Sequence, residues 1–373
     1  VDGLKYGMYF SYRYRNDDGK YFRISQNVDY AFARERMTSD FSTLYRYNGI
    51  QRGYLFLSGG RTTSDFDSNT GISKNLNLVT TLFLKDNYLK IYQKDYIRVG
   101  HQSDLANGLE LYAGFEYAQR HELTNHTDFY LTNPFDHAFT PNIPPIDDFN
   151  PDWAASHSAS LVKVRVKYTP RYFYRINDGF KSYVRSKYPT FTLQYNKGIK
   201  DLFDSDVNFD QLELSVRQGL YVRRFGGLTY KATAGTFLNN DKAYFADYKH
   251  FATNTPFLIG ASEGSMFRLL DYYDYSTNKS YFEGLVRLES DRIIIKRLPV
   301  LNKTLMRESI YFNYLATTGN KPYYEVGYGL NQIFLMFSVE VFAGFKGTTH
   351  EYTGIKIGIP FVGGSGNTIS IGG

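Results

Sequence analysis

The sequence predicts an all-β protein: one transmembrane antiparallel β-barrel of about 14 to 16 strands with long extracellular loops. Three observations predict it. Polarity alternates with a period of two from one end of the 373 residues to the other. The chain holds 35 Tyr, 30 Phe and 32 Gly at a mean hydropathy of -0.41, and strands with one apolar and one wet face use such residues where a soluble core has no place for so many phenols. The alternating runs never divide into two groups separated by a linker, so residues 1–373 read as a single domain. A membrane helix needs about 20 largely apolar residues, and the best stretch, residues 330–339, ends at Glu340 well short of that. A closed barrel, with every backbone group paired between strands, is the remaining way across a bilayer.

The runs justify the barrel in order. Tyr6, Met8, Phe10, Tyr12 and Tyr14 share one face, and Lys5, Gly7, Ser11, Arg13 and Arg15 take the other. Asn16-Asp17-Asp18-Gly19 then supplies a turn. Residues 82–97, LFLKDNYLKIYQKDYI, place Leu82, Leu89, Tyr92 and Tyr96 at loosely helical spacing, which predicts a short helix at a strand connection. Leu109, Leu111, Ala113, Phe115 and Tyr117 oppose Glu110, Tyr112, Gly114 and Glu116. Residues 122–157 contain Pro134, Pro141, Pro144, Pro145 and Pro151; a ladder does not tolerate so many missing donors, so this segment reads as a long outer loop. Alternation resumes with Val162, Val164, Val166 and Tyr168 against Lys163, Arg165 and Lys167, then Phe191, Leu193 and Tyr195 against Thr192, Gln194 and Asn196. Leu212, Leu214 and Val216 oppose Glu213, Ser215 and Arg217; Phe282, Gly284, Val286 and Leu288 oppose Glu283, Arg287 and Glu289; Ile355, Ile357 and Ile359 oppose Lys356 and Gly358.

Composition excludes several classes. With no Cys there is no disulfide framework, thiolate metal site or Cys nucleophile. The net charge of +6 is spread along the chain with no basic tail, so no nucleic-acid partner is expected. The first residues, VDGLKYGMYF, lack the ordered parts of a secretory signal, and the chain reads as a mature or trimmed form.

Candidate chemistry is sparse. Asp204, Asp206, Asn208 and Asp210 place oxygen-bearing side chains on alternate residues, like the first half of a calcium loop. Phe209 stands where such a loop needs Gly, and Ser215 where it needs a bidentate Glu. A solvated turn is therefore the leading reading, with calcium as the alternative and no other cofactor expected. His121, His126, His137 and His157 lie near Asp128, Asp136, Asp147 and Asp148, without the spacing of a compact metal motif. No Gly-x-Ser-x-Gly elbow or convincing rim arrangement of Ser, His and Asp occurs, so the protein is not expected to be an enzyme. The wet faces of the runs carry Arg13, Arg15, Lys163, Arg165, Lys167 and Arg287 beside Glu110, Glu116, Glu283 and Glu289. These charges make either an anion-attracting lumen or an interior stiffened by cross-strand ion pairs.

Residues 235–251 (GTFLNNDKAYFADYKHF), 267–284 (FRLLDYYDYSTNKSYFEG), 296–303 (KRLPVLNK) and 323–345 (YYEVGYGLNQIFLMFSVEVFAGF) resemble a family of uncharacterised outer-membrane barrels typical of the Bacteroidota. Residues 188–212 extend the resemblance, and the first half fits more loosely. Members of that family usually carry a carboxypeptidase-regulatory-like domain before the barrel; none is visible here, so the resemblance implies either the barrel portion alone or a form whose front part precedes these residues. The family is in turn similar to the BamA and two-partner-secretion transporter superfamily, which carries a Val-Arg-Gly-Phe/Tyr motif on a loop folded into the lumen. The corresponding stretch here, Met266 to Leu270, keeps Arg268 but not the glycine, and no periplasmic repeat domain is present. The resemblance implies a non-enzymatic component of outer-membrane assembly or biogenesis, located in a bacterial outer membrane among lipid and other envelope proteins. A channel for small solutes with a charged lumen is the alternative.

Overall fold

Where alternation is regular, the backbone is extended, and its register fixes which side chains meet. The computed structural model describes residues 1–16, 20–67, 71–136, 138–146, 149–222, 226–260, 266–299 and 303–359. Its elements are β1 (Lys5–Arg15), β2 (Tyr21–Ala31), β3 (Arg36–Asn48), β4 (Gly53–Asp65), α1 (Lys74–Leu84), β5 (Ile91–Ala106), β6 (Leu109–His121), β7 (His157–Tyr168), β8 (Phe173–Asn177), β9 (Phe180–Arg185), β10 (Thr190–Gly198), β11 (Asn208–Val222), β12 (Gly226–Lys242), β13 (Leu258–Gly260), β14 (Tyr281–Ser290), β15 (Arg307–Thr317), β16 (Tyr323–Ile333), β17 (Phe337–Lys346) and β18 (Thr349–Ile359). The first turn, Asp17 to Gly19, lies outside the described residues, as do His137, Asp147 and Asp148. No described helix is long and apolar enough to cross a membrane.

One sheet holds sixteen strands, and β8 and β9 form a separate hairpin. Neighbours in the large sheet are antiparallel except at one edge, where the short β13 runs parallel to β18 through Leu258↔Ile357, Ile259↔Gly358 and Gly260↔Ile359. Among the described residues, setting β13 aside leaves fifteen antiparallel strands, an odd number, and the sheet is not closed: β1 stands at one edge and β13 at the other.

Register carries one face across the sheet. Arg13 pairs with Arg23, and the row continues through Leu44, Phe56, Gly100, Gly114, Lys163 and Asn196 to Gln211. Because side chains repeat every second residue, Arg15, Glu110, Glu116, Arg165 and Lys167 lie on this inner face too. Glu213 pairs with Gly235 and Thr233 with Glu283, which brings Glu283, Arg287 and Glu289 onto the same side. The other face carries exposed Tyr6, Phe10, Leu55, Leu57, Ile97, Val99, Leu214, Val341 and Ile355.

The helix lies earlier than the expected residues 82–97. It spans Lys74–Leu84, capped by Ser73, whose side chain accepts from the Leu76 N–H at 3.1 Å, while Tyr92 and Tyr96 belong to β5. A spacing of four is one helical turn and also two strand repeats, so Tyr92 and Tyr96 share a strand face equally well. The proline-bearing segment lies in the connection between β6 and β7, whose described residues include a 3-10 turn at Pro151–Ala154. Asn142 fastens it: its side-chain oxygen accepts from the Ile91 N–H at 2.9 Å, and its amide donates to the Ile91 and Leu123 carbonyls at 2.6 and 2.7 Å.

Strand direction alternates, so the connections after β4, β6 and β12 leave the sheet at one end. They pack together there through Phe66, Ile72, Leu76, Tyr92, Phe245, Tyr272 and Tyr273, with Phe149 and Trp153 against them. The described residues of the connection after β12, 243–260 and 266–280, also run down the inner face. Its Phe251, Phe267, Leu270 and Tyr275 meet the inner Tyr281, Leu285, Leu315 and Tyr323. The inner face of these later strands is thus partly apolar, and the strap formed by residues 243–260 and 266–280 covers it.

Candidate functional site

The strap is seated on two wall carboxylates. Glu325 of β16 is fully buried, and it accepts from the backbone N–H groups of Arg268, Leu269 and Leu270 at 2.8, 2.7 and 3.0 Å. Asn313 Nδ2 and the Tyr323 hydroxyl complete its shell at 3.1 and 2.8 Å. Consecutive backbone N–H groups converging on one anion form a nest, and such charge-assisted bonds are about twice as strong as neutral ones. On the neighbouring β17, Glu340 lies 3.4 Å from Arg268 Nε and accepts from the Tyr311 hydroxyl at 2.8 Å. Both side chains of this ion pair are 4% exposed, so each offsets part of the other's desolvation cost.

Leu269 packs between these anchors against Tyr311 and Phe342. The approach is close enough to need glycine on the wall: a Cβ added at Gly354 of β18 would stand 2.4 Å from Leu269 Cδ2. The leucine occupies the place at which the motif that the sequence resembles has a glycine. Residues 268–270 have no positive φ, so the bend that aims Arg268 needs no glycine, and the Glu325 nest holds it instead. At the sheet edge, Lys356 Nζ donates to the Pro256 carbonyl at 3.0 Å and to that of Thr255, which ties the segment before β13 to β18. Sequence reasoning singled out Arg268 but missed Glu325 and Glu340. Their signal is an inner row of Tyr323, Glu325, Gly327 and Gly329: a lone carboxylate beside glycines that leave room for an inserted segment.

The remaining inner charges fall into two groups. Glu116 pairs with Lys94 at 2.6 Å and with Arg98; Glu110 pairs with Arg52 at 3.4 Å; Glu283 pairs with Lys231 at 2.8 Å. Glu289 bridges Arg287 and Arg307 at 2.5 and 2.9 Å. These partners lie mostly outside the charged runs that the sequence singled out. In contrast, among the described residues no carboxylate forms an ion pair with Arg13, Arg23, Lys163, Arg165 or Lys167. Arg165 rests over the Tyr112 ring at 5.3 Å, and Arg15 reaches Asp178 of the β8–β9 hairpin at 3.2 Å.

The candidate calcium residues are engaged separately. Asp206 accepts from the Ser158 N–H at 3.0 Å and from Lys242 at 3.2 Å. Asp210 pairs with Lys197 at 2.8 Å and with the Tyr195 hydroxyl. Asn208 meets Asp241 and Asn239, while Asp204 sits in a left-handed turn at φ 57°. Among the described residues no group of three or more His, Asp or Glu side chains is arranged to hold a metal ion. His121 faces Asp95 at 3.9 Å, His126 bonds the Thr124 carbonyl at 2.8 Å, and His157 lies 3.2 Å from Arg120, so the described histidines do not converge.

Comparison with solved structures finds CdiB from Acinetobacter baumannii, 10% identical with a TM-score of 0.41, covering 95% of this chain and 59% of that one. It also finds BamA from Haemophilus ducreyi lacking POTRA domains 1-3, 10% identical with a TM-score of 0.46, covering 95% of this chain and 69% of that one. The chain thus spans 59% of the length of CdiB. No curated protein matches. The model of one family matches residues 1–330, and the chain accordingly belongs to the family described as "Family of unknown function (DUF5686) C-terminal domain".

Proposed function

We propose that this protein is an integral outer-membrane β-barrel that acts, without catalysis, as a component of outer-membrane assembly or biogenesis together with other envelope proteins. The open seam carries this reading. In lipid an unpaired strand edge costs several kcal/mol per unsatisfied backbone group, so open edges do not persist there. Among the described residues β1 has one unpaired edge, and β18 is covered by the three residues of β13. Two such edges bind another strand by extending the backbone ladder, the mode in which main-chain bonds supply affinity and alternate side chains supply selectivity. The apolar outward face, with Tyr6, Phe10, Leu57, Val99 and Ile355 exposed, suits lipid. The long connections at the strap end suit the outer surface, where barrels of this class keep their longer loops.

A photo-reactive residue in place of Met8 tests this. Capture of envelope proteins, together with lower levels of other barrels after depletion, is the expected outcome. Capture of this chain alone with unchanged barrel levels would overturn the proposal. One observation favours a second reading, a conduit for small solutes: Lys163, Arg165 and Lys167 line the inner face without carboxylate partners among the described residues. Steady conductance in a planar bilayer, with selectivity altered by replacing all three with Gln, would support it.

A further inference from the structure

The β8–β9 hairpin leaves the wall after β7 and returns to β10, yet its contacts lie far around the sheet. Lys181 donates from Nζ to Asp104 at 2.8 Å and from its backbone N–H to the Gly49 carbonyl at 3.1 Å. The Tyr183 hydroxyl donates to Asp104 at 2.7 Å and accepts from the Gly108 N–H at 2.7 Å. The Arg46 guanidinium sits 4.3 Å over the Phe180 ring, and Asp178 at the hairpin tip pairs with Arg15 of β1 at 3.2 Å. The hairpin therefore crosses from β7 over the mouth of the interior to β3 and β1.

No ladder joins the hairpin to the large sheet. A lone two-stranded hairpin is marginal in water, so its position depends on these side-chain contacts. Asp104 is their centre: it is 4% exposed and takes Lys181, Tyr183 and, at 3.5 Å, Arg52. The base is narrow, clasped where Ser186 Oγ donates to the Pro170 carbonyl at 2.7 Å. Beneath the hairpin lies a cavity of about 300 Å³ lined by Arg52, Glu110, Lys167, Tyr172, Lys181 and Tyr183. Its Lys167 shares the inner face of β7 with Arg165 and Lys163, two and four residues along the strand.

We propose that the β8–β9 hairpin is a hinged lid which, on release from Asp104, admits small anions to the strip formed by Lys163, Arg165 and Lys167. The lid itself goes beyond the functional readings above, and only the choice of anions rests on the second of them. One position opens it without touching its charges. A Cβ at Gly49 would stand 2.1 Å from the Gly179 carbonyl oxygen, a backbone atom that must then move.

The natural chain has no cysteine, so a Thr192→Cys variant, whose position pairs with Lys167 on the inner face, carries a unique thiol. Its labelling by an anionic sulfonate thiosulfonate reagent and by a cationic trimethylammonium one is measured on the full chain in detergent. Gly49→Val and Asp104→Asn are each expected to raise both rates tenfold or more. Replacing Lys163, Arg165 and Lys167 with Gln in the opened protein is expected to slow the anionic reagent severalfold and not the cationic one. Unchanged rates in both latch variants, in protein that retains heat-modifiable migration, would overturn the lid. A faster rate with no preference between reagents would overturn the assignment to anions while leaving the lid. Bilayer conductance separates both results from failure of the conduit reading.

Discussion

The first three strands and the last five obey the same alternation and enclose different interiors. On the inner face of β1, Ser11, Arg13 and Arg15 are exposed, and Arg13 stands directly opposite Arg23. On β14 to β17, Leu285, Leu315, Glu325 and Phe342 are at most 1% exposed. The strap makes the difference: the connection after β12 is long enough to enter the sheet, and the wall beneath it supplies two carboxylates and several glycines. Alternation thus determines which face a residue takes. What fills that face depends on a segment that need not alternate at all.

Predictions follow the contrast from its strongest point outward. Replacing Glu325 with Ala leaves the Arg268, Leu269 and Leu270 N–H groups buried without an acceptor, and removing one partner of such a buried charged cluster costs about 3–5 kcal/mol. Limited proteolysis should then cut within residues 243–280 while β1 to β4 keep their resistance. For Arg268 and Glu340, a double-mutant cycle with Gln at each position should show a coupling on the order of 1–3 kcal/mol in denaturant unfolding, because both groups are buried.

A pH effect comes next. His250 in the strap is buried, bonded to Ser276 at 2.7 Å and to the Phe245 carbonyl at 2.9 Å, and burial pushes its pKa down to about 4. A histidine that stays neutral when folded gives stability that is fully present above its unfolded pKa of about 6.5 and is lost as pH falls through the folded value. Melting temperature should therefore drop between pH 6.5 and 4, and a His250→Gln variant should show a shallower drop. The smallest effect is expected in the open half. Arg13→Gln removes one of two like charges placed opposite each other, so stability should stay level or rise by roughly 0.2–1 kcal/mol, as a melting curve would record.

The sequence makes the faces legible and the interior largely illegible. Phe282 and Val286 against Glu283 and Arg287 can be read outward and inward from alternation alone, because the period of two is local. Strand pairing is not local. That Glu116 pairs with Lys94 and Arg98, and Glu283 with Lys231, depends on register between strands, which single-strand patterns do not encode. The family resemblance brings out Arg268, yet Glu325 and Glu340 look like ordinary wet-face residues until the strap is placed on them. Residues 82–97 mislead for a different reason, since Tyr92 and Tyr96 satisfy both periods. The β8–β9 hairpin goes unread because five and six residues are too few for a periodic signal.

The strap fills one part of the interior and leaves the other part unfilled. Single cysteines at Ser11 and Leu315, both on the inner face, the second packed against the strap, test this most directly when treated with a water-soluble maleimide in the folded protein. Ser11→Cys should label faster than Leu315→Cys, which stands at a position now 0% exposed and should stay protected until Glu325 is replaced. Equal labelling at the two positions in otherwise natural protein would contradict the account.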